Sequence, residues 1–314
     1  MAMNRVQFQA GMSLLDFHKN FGTEQQCADA LEHARWPDGF HCPYCQNEKY
    51  YVLLGRKHKT YQCAACRRQT SIIAGTLFQS THLLLKIWFL AIYLISEAKT
   101  GISSLALKRQ LGVSYPTAWL IQHKLMQAMT ERDERYTLHG TVQVDDAYLG
   151  GERSGGKVGR GSENKVPFVA AVEINENNHP LYIKLSPVSG FTLNAISDWA
   201  KNNLSAECSV ISDGLSCFNA VKDAGCMHKV FVAGGKKPKE LPEFNWVNTI
   251  LGNVKTSLSG AYHSFKFIKY AKRYLGTIAY RFNRRFNLDL LPQRLLFAAI
   301  SSKPHSESWL RGAS

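Results

Sequence analysis

The chain is short of acid. Its 314 residues hold 24 Asp and Glu against 38 Lys and Arg, for a formal net charge of +14 and a pI near 9.4. Such an excess points to a polyanionic partner, either nucleic acid or an anionic membrane surface. Long apolar runs are also missing. The greasiest stretch, Leu83–Ile95 (LLLKIWFLAIYLI), is 13 residues long and is interrupted by Lys86. It cannot span ~30 Å of hydrocarbon and reads as a buried helix, which removes the membrane reading. The N-terminal MAMNRVQFQAGMSLLDF has no apolar core ahead of a small-residue cleavage site, so a cytoplasmic location is expected. In that compartment eight cysteines are not disulfides by default. There is no internal repeat and no low-complexity tract. With 45% hydrophobic and 20% charged residues, the chain is neither disordered nor collagenous, and its length asks for two domains or one large domain with a small appendage.

Four of the cysteines are paired in sequence: Cys42-Pro43-Tyr44-Cys45, then 17 residues, then Cys63-Ala64-Ala65-Cys66. A C-x-x-C knuckle turns two thiolates toward one point, and two knuckles complete a tetrahedral four-cysteine zinc site. With every ligand supplied by protein, that zinc is structural. The intervening QNEKYYVLLGRKHKTYQ has β-rich ends around a Gly-Arg-Lys turn, as the hairpin of a zinc ribbon requires. Cys27, Cys208, Cys217 and Cys226 lack such pairing and read as small buried hydrophobes. Arg56, Lys57, His58, Lys59, Arg67 and Arg68 surround the ribbon and either meet phosphate or form a solvated face.

Residues 102–129 outline a helix-turn-helix. Leu105, Leu107 and Leu111 line a first helix, Gly112-Val113-Ser114 make a tight turn, and Pro116 sits in the first turn of a second helix. The residues offered to a DNA groove are Tyr115, Thr117, Gln122 and Lys124, although plain helical hairpins share the pattern. From Gly140 the sequence alternates β runs with helical ones: strands TVQVDDAYL, VPFVAAVEI and PLYIKLSPV, helix TLNAISDWAKNNL, strand CSVISD, helix LSCFNAVKDA, strand KVFVA, then a helix from near Phe244. A meander with crossover helices appended is the pattern of a ribonuclease H-like α/β layer. Asp145 and Asp213 end two of its strands. If those strands are neighbours, the carboxylates meet at one sheet end as hard oxygen ligands suited to Mg2+ or Mn2+. Exposed caps at turns are the bland alternative.

Taken together, CPYC…CAAC, VQVDDAYLGG, ISDG, NTILGNVKTSLSGAYH and YRFNRRF make the chain resemble an insertion-sequence transposase of the IS1595 family, with an ISXO2-like DDE-type domain. The resemblance runs from the ribbon to about residue 290. It implies metal-dependent cleavage of transposon ends followed by strand transfer into target DNA, with two Mg2+ or Mn2+ ions per catalytic site. It places Asp145 and Asp213 in the first two acid positions, with Asp146 as runner-up for the first. Asn248, 35 residues beyond Asp213, falls where most such enzymes have Glu, and Lys255, seven residues on, would contact DNA phosphate with help from His263. An amide oxygen can ligate the metal but brings no charge. Glu240, Glu243 and Asn253 are minor candidates for the third position. The partners implied are the terminal inverted repeats and target DNA, with at least a homodimer joining two ends. A decayed zinc-ribbon DNA-binding protein and a nuclease of the same fold remain the alternatives.

Two further stretches complete the reading. Residues 151–157, GERSGGK, nearly spell a P-loop, but Val158 replaces the Ser or Thr that would hold Mg2+. A basic hairpin near DNA and a plain surface loop both explain the glycines. KFIKYAKRYLGTIAYRFNRRF interleaves Lys266, Lys269, Lys272, Arg273, Arg281, Arg284 and Arg285 with apolar residues at helical spacing. The basic face, ending in Arg284 and Arg285, is expected to track a DNA backbone, while Phe265, Ile268, Leu275, Ile278 and Phe282 form core. The expected layout is an N-terminal helical segment (1–40), the ribbon (41–80), the helix-turn-helix-like segment (81–135), the ribonuclease H-like domain (136–290) and a tail (291–314).

Overall fold

The computed structural model describes residues 8–150, 165–232, 234, 240–262 and 265–312. The chain divides into two compact units: Met1–Met129 with Phe286–Arg311, and Thr130–Arg285 with Gly312–Ser314.

The first unit opens with α1 (Leu14–Phe21) and α2 (Glu24–Arg35). Both start as their sequences dictate. Ser13 accepts from the Asp16 amide, and Thr23 with Gln26 closes a reciprocal capping box. The ribbon follows as an antiparallel sheet, β1 (Tyr50–Leu53), β2 (Thr60–Cys63) and β3 (Gln69–Ser71), in that order. An aromatic cluster supports it: Phe40 stacks on Tyr61 at 4.6 Å, and Trp36 and Tyr50 meet Tyr61 edge-on. The apolar run 83–95 becomes α3 (Leu85–Glu97), largely buried. Its own first residues provide no side-chain cap. Glu24, 61 residues earlier, reaches across from α2 and accepts from the Leu85 and Lys86 amides at 2.8 and 3.0 Å, satisfying donors that a helix start leaves open. Next come α4 (Ser104–Leu111) and α5 (Tyr115–Glu134), joined by residues 112–114 with Gly112 at φ 66°, a left-handed C-cap that glycine adopts without strain. The stretch 291–314, expected as a tail, contains α9 (Leu291–Ser301), which packs on α2 and α3. Its apolar face of Leu291, Leu295, Ala298 and Ala299 is buried, so it belongs to the N-terminal core.

The second unit is a five-stranded sheet. Strands β4 (Thr141–Leu149), β5 (Val166–Ile174) and β6 (Pro180–Pro187) form an antiparallel meander, while β7 (Ser209–Ser212) and β8 (Met227–Val230) run parallel to β4. The order β6-β5-β4-β7-β8 is that of a ribonuclease H-like fold. Helices cover both faces. On one, α6 (Leu193–Asn203) and a 3-10 helix (Ser216–Ala224) bury Ile196, Trp199, Phe218 and Val221 against Val142, Val144 and Val210. On the other, α7 (Asn245–Gly260) and α8 (Phe267–Asn283) bury Val247, Ile250, Leu275 and Ile278 against Phe168, Val172 and Ile183. Residues 216–224 differ from the expected α-helix only in their tighter winding. Ile268, expected in the core, is 68% exposed in the first turn of α8.

Candidate metal centres and nucleic-acid interface

The four ribbon cysteines converge, with all Sγ atoms within 4.8 Å of one another. The two knuckles are built alike. Gln46 and Arg67, each next after a second cysteine, sit at φ 60° and 59°, and their amides return to the Cys42 and Cys63 carbonyls at 2.9 and 3.1 Å. The Cys66 amide donates to Cys63 Sγ at 3.5 Å, and this with the neighbouring Ala65 amide lowers the Cys63 thiol to about 7. Four sulfur atoms so gathered fit tetrahedral zinc. The other four cysteines are buried and outside any such cluster among the described residues. Burial pushes the Cys27 thiol up to about 12 and Cys226 to about 11, as inert small hydrophobes require.

A second cluster forms on the catalytic-type sheet. Strands β4 and β7 pair in parallel, Thr141 with Ser209 and Gln143 with Ile211. Continuing that register sets Asp145 beside Asp213. Carboxylate oxygens of Asp145, Asp146 and Asp213 all lie within 4.8 Å of one another, each residue half-buried. Alternation separates the three. Asp145 shares its face with Gln143 and Ala147, and Asp213 shares Ile211's, which is the face covered by α7; Asp146 starts from the opposite face with Val142 and Val144. Asp213 is oriented by a turn in which its Oδ1 accepts from the Leu215 amide at 3.0 Å.

Helix α7 is fastened to this strand by a residue the sequence reading passed over. Gln143 is 1% exposed, and its Oε1 accepts from both the Trp246 and Val247 amides at 3.1 Å. Phe244 gives α7 no side-chain cap, so β4 supplies it, two residues before Asp145. Asn248 is the next helical residue, half-buried, and Lys255 is exposed further along the helix. The one available signal was a glutamine between two valines. Strand alternation alone would turn it to solvent, but both faces of this strand are covered.

Several expected DNA contacts are corrected by the structure. Gln122 is 1% exposed; its amide donates to the Ile102 carbonyl at 2.7 Å and accepts from Ser104, tying α4 to α5. Lys124 is largely buried with Nζ on the Leu77 carbonyl at 3.3 Å, and burial lowers its pKa. Thr117 is half-buried and exchanges a hydrogen bond with Ser114 at 2.8 Å, while Tyr115 is 48% exposed. Arg284 pairs with Asp133 at 2.5 Å and lies over the Tyr280 ring. Arg285 donates to the Pro180, Leu181 and Phe282 carbonyls, and burial lowers it to about 10. Asn283 completes the set, accepting from the Ile183 amide at 2.8 Å and donating to its carbonyl at 3.0 Å. Among the described residues β6 is an edge strand, and the side chains of Asn283 and Arg285 bond its outward backbone groups. Arg273 and Arg281 are likewise buried at 4% and 9% exposure. His263 and the glycine-rich stretch 151–157 lie outside the described residues.

Residues 22–69 match the transposase zinc-ribbon domain, and residues 137–283 match the ISXO2-like transposase domain. The chain belongs to the IS1595 family of insertion-sequence transposases. A similar protein from Halobacterium salinarum, described as an uncharacterized protein in transposable element ISH50, is 27% identical over 234 residues, covering 69% of this chain and 76% of its own length. Among solved structures, the pre-cleavage Mos1 transpososome gives a TM-score of 0.26 at 10% identity, covering 69% of this chain and 79% of that one. The Mos1 strand transfer complex gives 0.23 at 12% identity, covering 70% and 79%. The sheet order, rather than these likenesses, identifies the fold of the IS1595-family domain. Among the described residues, no helix is long and apolar enough to cross a membrane.

Proposed function

We propose that this IS1595-family chain is an active transposase that cuts the ends of its element and joins them to target DNA. The observation that carries the reading is the meeting of Asp145 and Asp213 on the α7 face of neighbouring parallel strands. Three carboxylates within 4.8 Å repel one another unless a cation sits among them, and an all-oxygen donor set fits Mg2+ or Mn2+. Asp145 and Asp213 would hold the ions, with Asn248 adding an uncharged oxygen from α7 and Asp146 at the rim. Bound there, two divalent ions supply activation of the attacking oxygen and neutralisation of the leaving one in an in-line phosphoryl displacement. In the first step water attacks the phosphorus at the element's end and a 3′-hydroxyl leaves; in the second that hydroxyl attacks a target phosphodiester and displaces the target strand's own 3′-oxygen, which leaves as a hydroxyl. The chain itself contributes placement. The strand register fixes the two acids, Gln143 holds α7 against them, and exposed Lys255 on that helix would take a DNA phosphate.

DNA as partner is supported by the +14 charge and by exposed Arg56, Arg67 and Arg68 on the ribbon. Joining two ends calls for at least a dimer. The test is excision and joining of a marker flanked by this gene's own bordering DNA, in Mg2+ and in Mn2+, beside Asp213→Ala. Joined products that vanish in the variant are expected. Binding without cleavage in either metal would replace the proposal with a decayed DNA-binding protein, a reading that Asn248 in place of an acid favours. Cleavage without joining would make the chain a nuclease.

A further inference from the structure

Beneath Asp213, on the opposite face of the sheet, lies a hydrogen-bonded array that the reaction as described does not use. Ser212 is wholly buried. Its hydroxyl donates to the Asp213 carbonyl at 3.0 Å and lies 2.8 Å from His228 Nε2. His228 Nδ1 lies 3.2 Å from Asn219 Oδ1. The parallel pairing of β7 and β8, Val210 with His228, brings the imidazole under the end of β7, and the 3-10 helix brings Asn219. A serine, a histidine and an amide in series look like a nucleophile array. Ser212 is closed to substrate, however, and its one proton is directed at the backbone, so the array performs no attack.

Proton accounting makes its role specific. Ser212 has one proton and gives it to the Asp213 carbonyl, so the bond to His228 requires the imidazole to donate from Nε2. Burial, with the charge of Lys222, holds the imidazole pKa below its ordinary value, so Nδ1 is left as an acceptor. Asn219, whose Oδ1 faces the ring at 3.2 Å, satisfies it with its amide turned over so that Nδ2–H points at Nδ1. With the amide so turned, every polar group of the series is paired. Its end point is the peptide group of Asp213, whose other side is pinned where the Phe231 amide donates to the Ser212 carbonyl at 3.0 Å.

We propose that Asn219, His228 and Ser212 form a positioning relay that fixes the backbone of Asp213 and so aims its carboxylate into the cation site. The relay rests on the reading of Asp213 as a metal ligand. Partners behind a ligand tune affinity more than they alter folding, and their loss costs about tenfold in metal binding.

The test measures Mn2+ affinity on the zinc-loaded full chain by electron paramagnetic resonance, with thermal unfolding alongside, for wild type, Asp213→Ala, Ser212→Ala, His228→Ala and His228→Gln. Ser212→Ala and His228→Ala are expected to weaken Mn2+ about tenfold at little cost in thermal stability. Glutamine can present an N–H where the imidazole Nε2–H stood, so His228→Gln restores most of the affinity. Nitrogen-15 spectra of the wild type should show His228 as the Nε2–H tautomer. Wild-type affinity in His228→Ala overturns the relay, as does weakening that His228→Gln fails to restore. Undiminished Mn2+ binding in Asp213→Ala, or none in wild type, overturns the proposed function itself, an outcome separate from failure of the relay alone.

Discussion

At the scale of single residues, side-chain alternation decides between two adjacent acids. Sequence resemblance puts Asp145 first with Asp146 as runner-up, and only Asp145 starts from the face that carries α7 and Asp213's neighbour Ile211. Asp145→Ala should therefore lower strand cleavage by more than about 10²-fold, the scale of several kcal/mol of lost charge stabilisation. Asp146→Ala should cost far less, and equal losses in a cleavage assay would reverse the assignment. His58 offers a pH-dependent case. Its Nε2 is buried without a partner among the described residues, and burial together with Lys57 depresses its pKa. A base depressed in the folded state takes its proton preferentially when unfolded. Its contribution is thus intact above about pH 6.5 and is lost as pH falls below that value. Between pH 7 and pH 5 the wild type should lose thermal stability faster than His58→Gln; parallel slopes would exclude His58 as a source.

Among the elements, two helices begin without caps of their own and borrow them from distant strands or helices. Glu24 caps α3, and Gln143 caps α7. Gln143→Ala leaves two buried helix amides unpaired, a cost of roughly 1–3 kcal/mol. Because α7 carries Asn248 and Lys255, cleavage should fall further than the stability change alone accounts for. Denaturant unfolding and cleavage on one preparation would check this, and a stability loss with unchanged cleavage would deny α7 any part in the chemistry. The same scale explains why residues 283–285 do not form a DNA surface. An open β6 edge claims the Asn283 and Arg285 side chains before a ligand can, and buried Asp133 claims Arg284.

For the whole molecule, net charge gives attraction to polyanions without saying which cations provide it. Removing Lys255, which is exposed, should make the slope of log affinity against log salt shallower by about 0.9, the contribution of one phosphate contact. Arg284→Ala should leave that slope unchanged and destabilise the fold by roughly 3 kcal/mol, since buried Asp133 would keep the Asn283 amide but lose its cationic partner. A shallower slope in Arg284→Ala, measured by DNA binding at several salt concentrations, would return that residue to the interface.

Sequence by itself determined the features written in local spacing. Two C-x-x-C knuckles specify their own turns, and strands β4 and β5 span the residues their alternation marked, Thr141–Leu149 and Val166–Ile174. Asp145 and Asp213 were visible because each acid follows an apolar run; Asp145 proves to lie midway along β4 while Asp213 directly follows β7, and parallel pairing was the remaining condition. Tertiary structure decided which cations and amides face outward. A helical pattern cannot distinguish an exposed Gln122 or Arg285 from one spent on a carbonyl more than a turn or a domain's length away in sequence. Burial leaves backbone groups that must find partners, and the nearest long polar side chains are taken for that purpose. Gln143, Ser212 and His228 escaped the sequence for the same reason: Gln143 meets Trp246 across 103 residues and Ser212 meets His228 across 16, and only the folded sheet brings them together beside the acids.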